Sequence, residues 1–252
     1  MSFDVSPGAY TQFMGRYSEP LAARFADLAG VRRGQRVLDV GCGPGALTAE
    51  LVNRVGAESV SAVEPSASFA AAARERLPGA DIRQAAAEQL PFPDGTFGVT
   101  LAQLVVHFVA DPVQGLREMR RVTRPGGTVA ACVWDHAGDR GPLAAFWSAV
   151  RELDPANRGE SDLTGVREGQ LASVFTQAGL GSTQVTTLTV RVWHSSFDDW
   201  WQPFTLGVGP AGDYVTALAP DRRAALREQC RRLLPTGAIA ITAVAWAASG
   251  RA

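Results

Sequence analysis

Short apolar runs alternate with longer amphipathic stretches over the first half of the chain. Val37-Leu38-Asp39-Val40, Ser59-Val60-Ser61-Ala62-Val63, the run from Phe97 to Gln103 and the run from Gly127 to Trp134 are each too short for a helix. All have the apolar continuity of strands buried on both faces. The pattern predicts helix 18–29, strand 36–40, helix 45–55, strand 59–64, helix 66–77, strand 80–84, strand 97–103, helix 111–123 and strand 127–134. Pro125-Gly126-Gly127 reads as the tight turn into that last strand. Alternation of this kind argues for parallel pairing through crossover helices, hence a doubly wound α/β sheet. After residue 135 the pattern changes. Helix 141–153, a polar loop around 157–162 and helix 168–178 lead to a long alternating strand, 183–193, then a helical excursion over 197–234 and a β-rich end, 237–249. An ending of strand, insertion, strand suits a last strand that runs antiparallel between its neighbours.

Within the first strand-to-helix turn, Gly41, Gly43 and Gly45 alternate with Cys42 and Pro44. Glycines are required where the backbone turns through left-handed conformations or must touch a ligand directly. Strand, glycine turn and helix in that order make a nucleotide-type cofactor loop. Glu64 closes the next strand, where its carboxylate can accept hydrogen bonds from both hydroxyls of a ribose. Gly41-x-Gly43-x-x-Ala46 also satisfies the loose dinucleotide fingerprint, so a nicotinamide-dependent oxidoreductase stays open on these residues alone. Pro44 tilts the choice, because it removes one of the amide donors that a pyrophosphate needs.

Four motifs in order carry a stronger signal: the loop Val37 to Gly45, then Glu64-Pro65-Ser66, then Ala87-Glu88-Gln89-Leu90-Pro91-Phe92-Pro93-Asp94-Gly95-Thr96-Phe97, then Arg124-Pro125-Gly126-Gly127. With them the chain resembles the class I S-adenosylmethionine-dependent methyltransferases, in the small-molecule, type 11-like branch. The opening Phe13-Met14-Gly15-Arg16-Tyr17-Ser18 is also similar to that branch. The resemblance spans about residues 10 to 135. It implies a Rossmann-like, mostly parallel sheet with an antiparallel last strand, and S-adenosylmethionine as cofactor. It also implies a cofactor site of Tyr17, Asp39, Gly41, Cys42, Gly43, Gly45, Glu64, Pro65, Ala87, Glu88 and Gln103. Asp39 would then steady the loop and help neutralise the cofactor's ammonium group, and Pro65 would offer the adenine a flat wall. Two positions depart from the family: Ala86, where many relatives carry an acid for the adenine amino group, and Gly98, where Asp is frequent. Gln103-Leu104-Val105-Val106 is not the Asn/Asp-Pro-Pro-aromatic signature of DNA and protein amide methylators. A binding protein that holds the cofactor without catalysis is the third reading.

Composition narrows the options. At 252 residues and 46% hydrophobic, one large domain is the expectation. It divides into an N-terminal lid and helix (1–30), a cofactor core (31–135) and substrate-side insertions (136–252). Net charge is −1, so there is no electrostatic footprint for nucleic acid or an anionic membrane. The three cysteines are dispersed, and no basic, apolar leader opens the chain. We therefore expect a cytoplasmic, metal-free protein with a small-molecule substrate and no membrane partner; nothing here predicts an oligomeric state. The chain contains no lysine, which excludes a Schiff-base lysine and a P-loop lysine.

Three groups of side chains are candidates on the substrate side. His107 is the one histidine near an active-site strand end, a base for a hydroxyl acceptor or a histidine packed under the strand. Tyr10 and Phe13 precede the core with Met14, Arg16 and Tyr17 and suit a lid over the crevice. Trp147, Trp200 and Trp201 belong to an aromatic-rich C-terminal half that would line an apolar pocket or fill an ordinary core. The arginines of 222–232 read as a solvated helix face.

Overall fold

The structure is a computed structural model that describes residues 5–252. Residues 1–4, the first of the expected lid, lie outside the described residues. The chain runs α1 (Pro7–Tyr10), a π-helical turn (Thr11–Gly15), α2 (Arg16–Leu28), β1 (Val37–Val40), α3 (Ala46–Val55), β2 (Val60–Val63), α4 (Ala67–Arg76) and β3 (Asp81–Arg83). Then come β4 (Phe97–Gln103), α5 (Pro112–Val122), β5 (Thr123–Trp134), α6 (Ala144–Leu153) and α7 (Gln170–Gln177). β6 (Gly181–His194), α8 (Phe197–Trp201), α9 (Gly209–Ala217), α10 (Pro220–Leu233) and β7 (Ile239–Arg251) complete it.

All seven strands form one sheet in the order β3-β2-β1-β4-β5-β7-β6. β1 to β5 pair in parallel, and β7 enters antiparallel between β5 and β6. The doubly wound sheet with an antiparallel last strand is therefore as the sequence predicts. Successive residues of β1 go to opposite cores, Val37 with α2 and α3, Leu38 and Val40 with α5 and α7. Burial on both faces explains why these strands read as unbroken apolar runs.

Helical backbone starts earlier than the pattern indicates. Ser6 caps it by accepting from the Ala9 amide at 3.2 Å, and the backbone stays helical from Pro7 to Leu28 through the π turn. Gly15 and Pro20 both lie inside this helical run. Pro20 lacks only the donor to the carbonyl of residue 16, and the wide turn lies just before it; such turns recur at functional sites. β5 also begins early, at Thr123, because the Pro125-Gly126-Gly127 turn is absorbed as an irregularity in its pairing with β4. A side chain at Gly98 would meet Arg124 and the Arg36 carbonyl at 3.7 Å, so this departure from the family leaves room and creates no clash.

A third apolar cluster is built mainly from the C-terminal helices, against the start of β7. Phe146 and Trp147 of α6, Trp200 and Trp201 of α8, Phe204, and Val208 to Val215 pack with Phe13 from the N-terminal segment. Phe146 stacks on Phe204 at 4.5 Å, and Phe13 meets Phe204 edge-on at 5.2 Å. Trp200 is 2% exposed and touches Phe197 and Phe204. Trp200→Ala should therefore lower the unfolding free energy by about 3–5 kcal/mol, read by denaturant titration. A cost near zero would remove Trp200 from the core.

Candidate functional site

β1 and β2 end side by side, Val40 opposite Val63, and that register builds the site. The Gly41 and Cys42 amides donate to the Val63 carbonyl at 2.8 and 3.0 Å. Next along the loop, the Gly43 amide donates to Glu64 Oε2 at 2.9 Å, and the Ser66 amide donates to Oε1 at the same distance. Glycine is forced at two of these positions for different reasons. Gly41 (φ +74°) lies so close to Val105 that a Cβ would meet its methyls at 2.6 and 2.7 Å. Gly43 (φ +53°) has no near neighbour; a Cβ there would project toward the Tyr10 ring, 4.0 Å away.

Glu64 is 6% exposed, and burial raises its carboxyl above the usual range, partly offset by the two amides. Each oxygen accepts one hydrogen bond here and has room for another, which suits a ribose with two free hydroxyls. Asp39 is buried beneath the loop. Its Oδ2 accepts from the Thr48 hydroxyl at 2.7 Å, while Oδ1 is buried without a partner. Burial first, and the Glu64 charge after it, push this carboxyl up to about 7 despite the Thr48 hydrogen bond. An orphaned carboxylate oxygen at this spot suits a cationic group.

One cavity of about 400 Å³ opens from Gly41, Gly43 and Glu64. Pro65, Phe69, Ala86, Ala87 and Glu88 continue it on one side. The Glu88 carboxylate is already engaged, accepting from the Ala110 and Asp111 amides at 3.1 and 3.4 Å. It fastens this turn to the loop after β4, and the surface near Ala86 and Ala87 is otherwise apolar, with Val109 and Ala110. Tyr10, Phe13 and Met14 supply a further wall. Tyr10 meets Phe69 edge-on at 5.3 Å, and the Met14 sulfur accepts from Trp134 Nε1 at 3.3 Å. The expected lid segment thus borders the cavity as helical backbone.

Other predicted residues stand behind the cavity wall. The Cys42 side chain packs with Ala62, Ala73 and Ile82, and Gly45 starts α3 in a left-handed conformation. Gln103 donates from Nε2 to the Ser18 carbonyl at 3.0 Å, leaving Oε1 buried without a partner; the amide clamps α2 to β4. Tyr17 pairs its hydroxyl with His194 Nε2 at 2.9 Å. Arg16 can only donate to His194 Nδ1, so Nε2 carries the hydrogen and Tyr17 accepts it. The reading of Trp147, Trp200 and Trp201 as pocket lining needs correction. All three are buried in the cluster that the C-terminal helices form with Phe13 and the Ile239 end of β7, and none of them lines the cavity.

The cavity's remaining wall gathers His107, His136, Leu143, Glu160 and Val208 to Ala211. His107 is 6% exposed with Nδ1 buried and unpartnered; burial, then neighbouring His136, hold its pKa well below the usual histidine value. His136 and Glu160 were not legible as site residues: one follows a strand end without a motif, the other sits in a polar loop. A buried acid in that loop is visible only in three dimensions. Among the described residues, no group of three His, Cys, Asp or Glu is placed to hold a metal, and no helix is long and apolar enough to cross a membrane.

Comparisons with known proteins bear on this geometry. A methyltransferase-domain family model matches residues 38–131. Phosphatidylethanolamine N-methyltransferase of Cereibacter sphaeroides is 36% identical over 151 residues, 58% of this chain and 72% of that one. A ubiquinone/menaquinone biosynthesis C-methyltransferase of Idiomarina loihiensis is 41% identical over 110 residues, 41% of this chain but only 44% of that enzyme. The fold matches geranyl diphosphate C-methyltransferase from Streptomyces coelicolor, solved with S-adenosyl-L-homocysteine, at a TM-score of 0.56 and 16% identity, covering 94% of this chain and 80% of that one. At that identity the structural match speaks for the fold alone.

Two measurements test the cradle. Glu64→Ala should weaken S-adenosylhomocysteine binding by roughly 2–3 kcal/mol in calorimetry, and unchanged affinity would remove Glu64 from the site. Asp39 sets a pH dependence. With a free-protein pKa of about 7, it is largely protonated below that pH, and pairing with an ammonium group requires it to ionise. Binding then releases a proton, so affinity should fall as pH drops below about 7 and level off above it. Asp39→Asn should flatten the curve; a slope retained in that variant would assign the proton to Glu64.

Proposed function

The chain belongs to the class I S-adenosylmethionine-dependent methyltransferases, in the type 11 branch, and from that premise we propose that it methylates a small, largely apolar or aromatic metabolite. Membership in this family decides against the nicotinamide reading that the glycine pattern left open. The observation that carries the acceptor class is a continuous cavity that begins at Gly43 and Glu64 and continues between Phe13, Leu143, Val208 and Ala211. Those walls are apolar, and sites of this kind bury most of a small ligand's surface. A net charge of −1 supplies no overall attraction to nucleic acid. The named relatives include enzymes of phospholipid and quinone chemistry, consistent with an acceptor of low polarity.

Bound S-adenosylmethionine supplies a methyl group already activated on a cationic sulfur. The chain's task is placement: Glu64 and the Gly43 backbone would hold the ribose side, Asp39 would neutralise the ammonium group, and Tyr10, Phe13 and Met14 would exclude water. Alignment alone supplies up to roughly 7–11 kcal/mol of barrier lowering, so no triad is needed. For an acceptor with an ionisable hydroxyl, His107 is the neutral imidazole best suited to take its proton.

Methyl transfer from labelled S-adenosylmethionine to a panel of small aromatics is the test. Cofactor binding with no product from any acceptor would favour a non-catalytic binding protein, and robust methylation of nucleic acid or intact protein would overturn the acceptor class. His107→Ala should lower turnover on a hydroxyl acceptor about 10²–10⁴-fold with little change in cofactor affinity; full activity would leave His107 as a wall residue. Hydrogen exchange tests the lid. Amides of residues 7–15 should slow when S-adenosylhomocysteine binds, and identical exchange in both states would reduce this segment to a fixed wall.

A further inference from the structure

Glu160 stands out among the carboxylates that play no part in the cofactor cradle. It comes from the polar loop between α6 and α7, yet it is 4% exposed and borders the cavity. The loop is pinned so that the side chain has no other place to go. Trp147 Nε1 donates to Oε2 at 2.8 Å. The preceding Gly159 (φ +55°) lies so near the Trp147 ring that a Cβ would meet it at 2.6 Å. Oε1 is left facing His136 Nε2 at 4.0 Å, beyond the 2.7–3.2 Å range of an N–H···O hydrogen bond. Oε1 therefore has no protein donor within hydrogen-bond reach and keeps an acceptor position open beside the cavity.

What can occupy that position follows from the donor pattern. Burial lowers the His136 pKa, so the ring is neutral near pH 7 and carries one hydrogen. With Nε2 facing the Glu160 carboxylate at 4.0 Å, an N–H there is attracted where a lone pair would be repelled, so Nε2 carries the hydrogen. The gap therefore presents an N–H donor on one side and a carboxylate acceptor on the other. A carbonyl can only accept and an ammonium can only donate; a hydroxyl does both. An oxygen placed about 2.8 Å from each atom would see them at an angle of about 90°, which a hydroxyl group can meet.

We propose that Glu160 and His136 anchor a hydroxyl group of the acceptor, which accepts from His136 Nε2 and donates to Glu160 Oε1. The acceptor is then an apolar molecule with at least one hydroxyl. His107 lies beside the anchor, 6.1 Å from His136 between ring centres, so the anchored group orients the rest of the molecule past His107. Trp147 is a positioning residue that holds Glu160 in place. This rests on the methyl-transfer reading only in taking the bound molecule to be the acceptor.

The probe pair is 2-naphthol and 2-methoxynaphthalene, which differ by the hydroxyl hydrogen and a methyl cap, titrated calorimetrically into the protein saturated with S-adenosylhomocysteine. The wild-type protein should bind 2-naphthol at least about tenfold more tightly than the ether. Glu160→Gln, which can still accept from Trp147, and His136→Phe should each cut that preference to about threefold or less, with S-adenosylhomocysteine affinity unchanged. Equal wild-type affinities for the two probes would overturn the anchor while leaving cofactor binding intact. So would a preference that survives in both variants. Tighter binding of 2-naphthylmethylamine than of 2-naphthol, lost in Glu160→Gln, would replace the hydroxyl anchor with a cation site. Failure of S-adenosylhomocysteine to bind the wild-type protein would instead sink the methyl-transfer reading on which the anchor rests.

Discussion

The Gly43 amide and the Glu64 carboxylate meet at 2.9 Å across the ends of two adjacent parallel strands. Parallel register brings those ends level, Val40 beside Val63, and the amides of Gly41 and Cys42 close on the Val63 carbonyl before the loop turns away. Only a backbone free to take positive φ can make that turn, and Val105 at the Gly41 α-carbon allows nothing larger. A buried carboxylate thus organises the loop while keeping lone pairs for a ligand. Displace this contact and the mouth of the cavity, the first turn of α3 and the seat of Tyr10 all move with it.

The cavity's opposite wall is held by a different logic. Residues from the start of the chain meet residues from its second half: Phe13 sits against Phe204, and Met14 receives the Trp134 indole hydrogen. Behind them, Asp199 holds Arg16 at 2.6 Å, Arg16 donates to His194, and His194 donates to Tyr17. Arg16 keeps the Asp199 carboxyl low, at about 2, so the ion pair persists through the neutral range. The N-terminal helix is therefore tied to β6 and α8 and borders the cavity from there. Any movement that admits a ligand past Tyr10 works against those ties.

Much of the sheet was legible because its physics is local. Strands buried on both faces must be apolar throughout, helices between them must be amphipathic, and the glycine loop needs its glycines wherever the chain occurs. Glu64 was legible for the same reason, as an acid one strand away from a glycine turn. Errors cluster where tertiary context overrides a local rule. The predicted helix begins at residue 18, yet the backbone upstream is already helical from Pro7. Trp147, Trp200 and Trp201 have the composition of a ligand pocket, and composition alone does not distinguish a pocket from a core. Glu88 is suitably spaced for ligand recognition, but two backbone amides of the neighbouring loop claim its carboxylate.

By itself the sequence determined the doubly wound sheet, the antiparallel return of its last strand, the glycine loop with its acid and the kind of cofactor they suit. Each of these depends on periodicity or on contacts between segments whose spacing the chain itself sets. The tertiary structure alone decided which polar groups meet beside the apolar end of the cavity. His136 follows β5, Glu160 lies in a loop 24 residues later, and neither belongs to a motif. They face one another because Trp147 captures one oxygen of Glu160 and the Gly159 backbone packs flat on the same ring. A carboxylate in a polar loop is ordinarily solvated on the surface; folding drew this one to the wall of the cavity and set it 4.0 Å from His136, an arrangement that linear spacing does not encode.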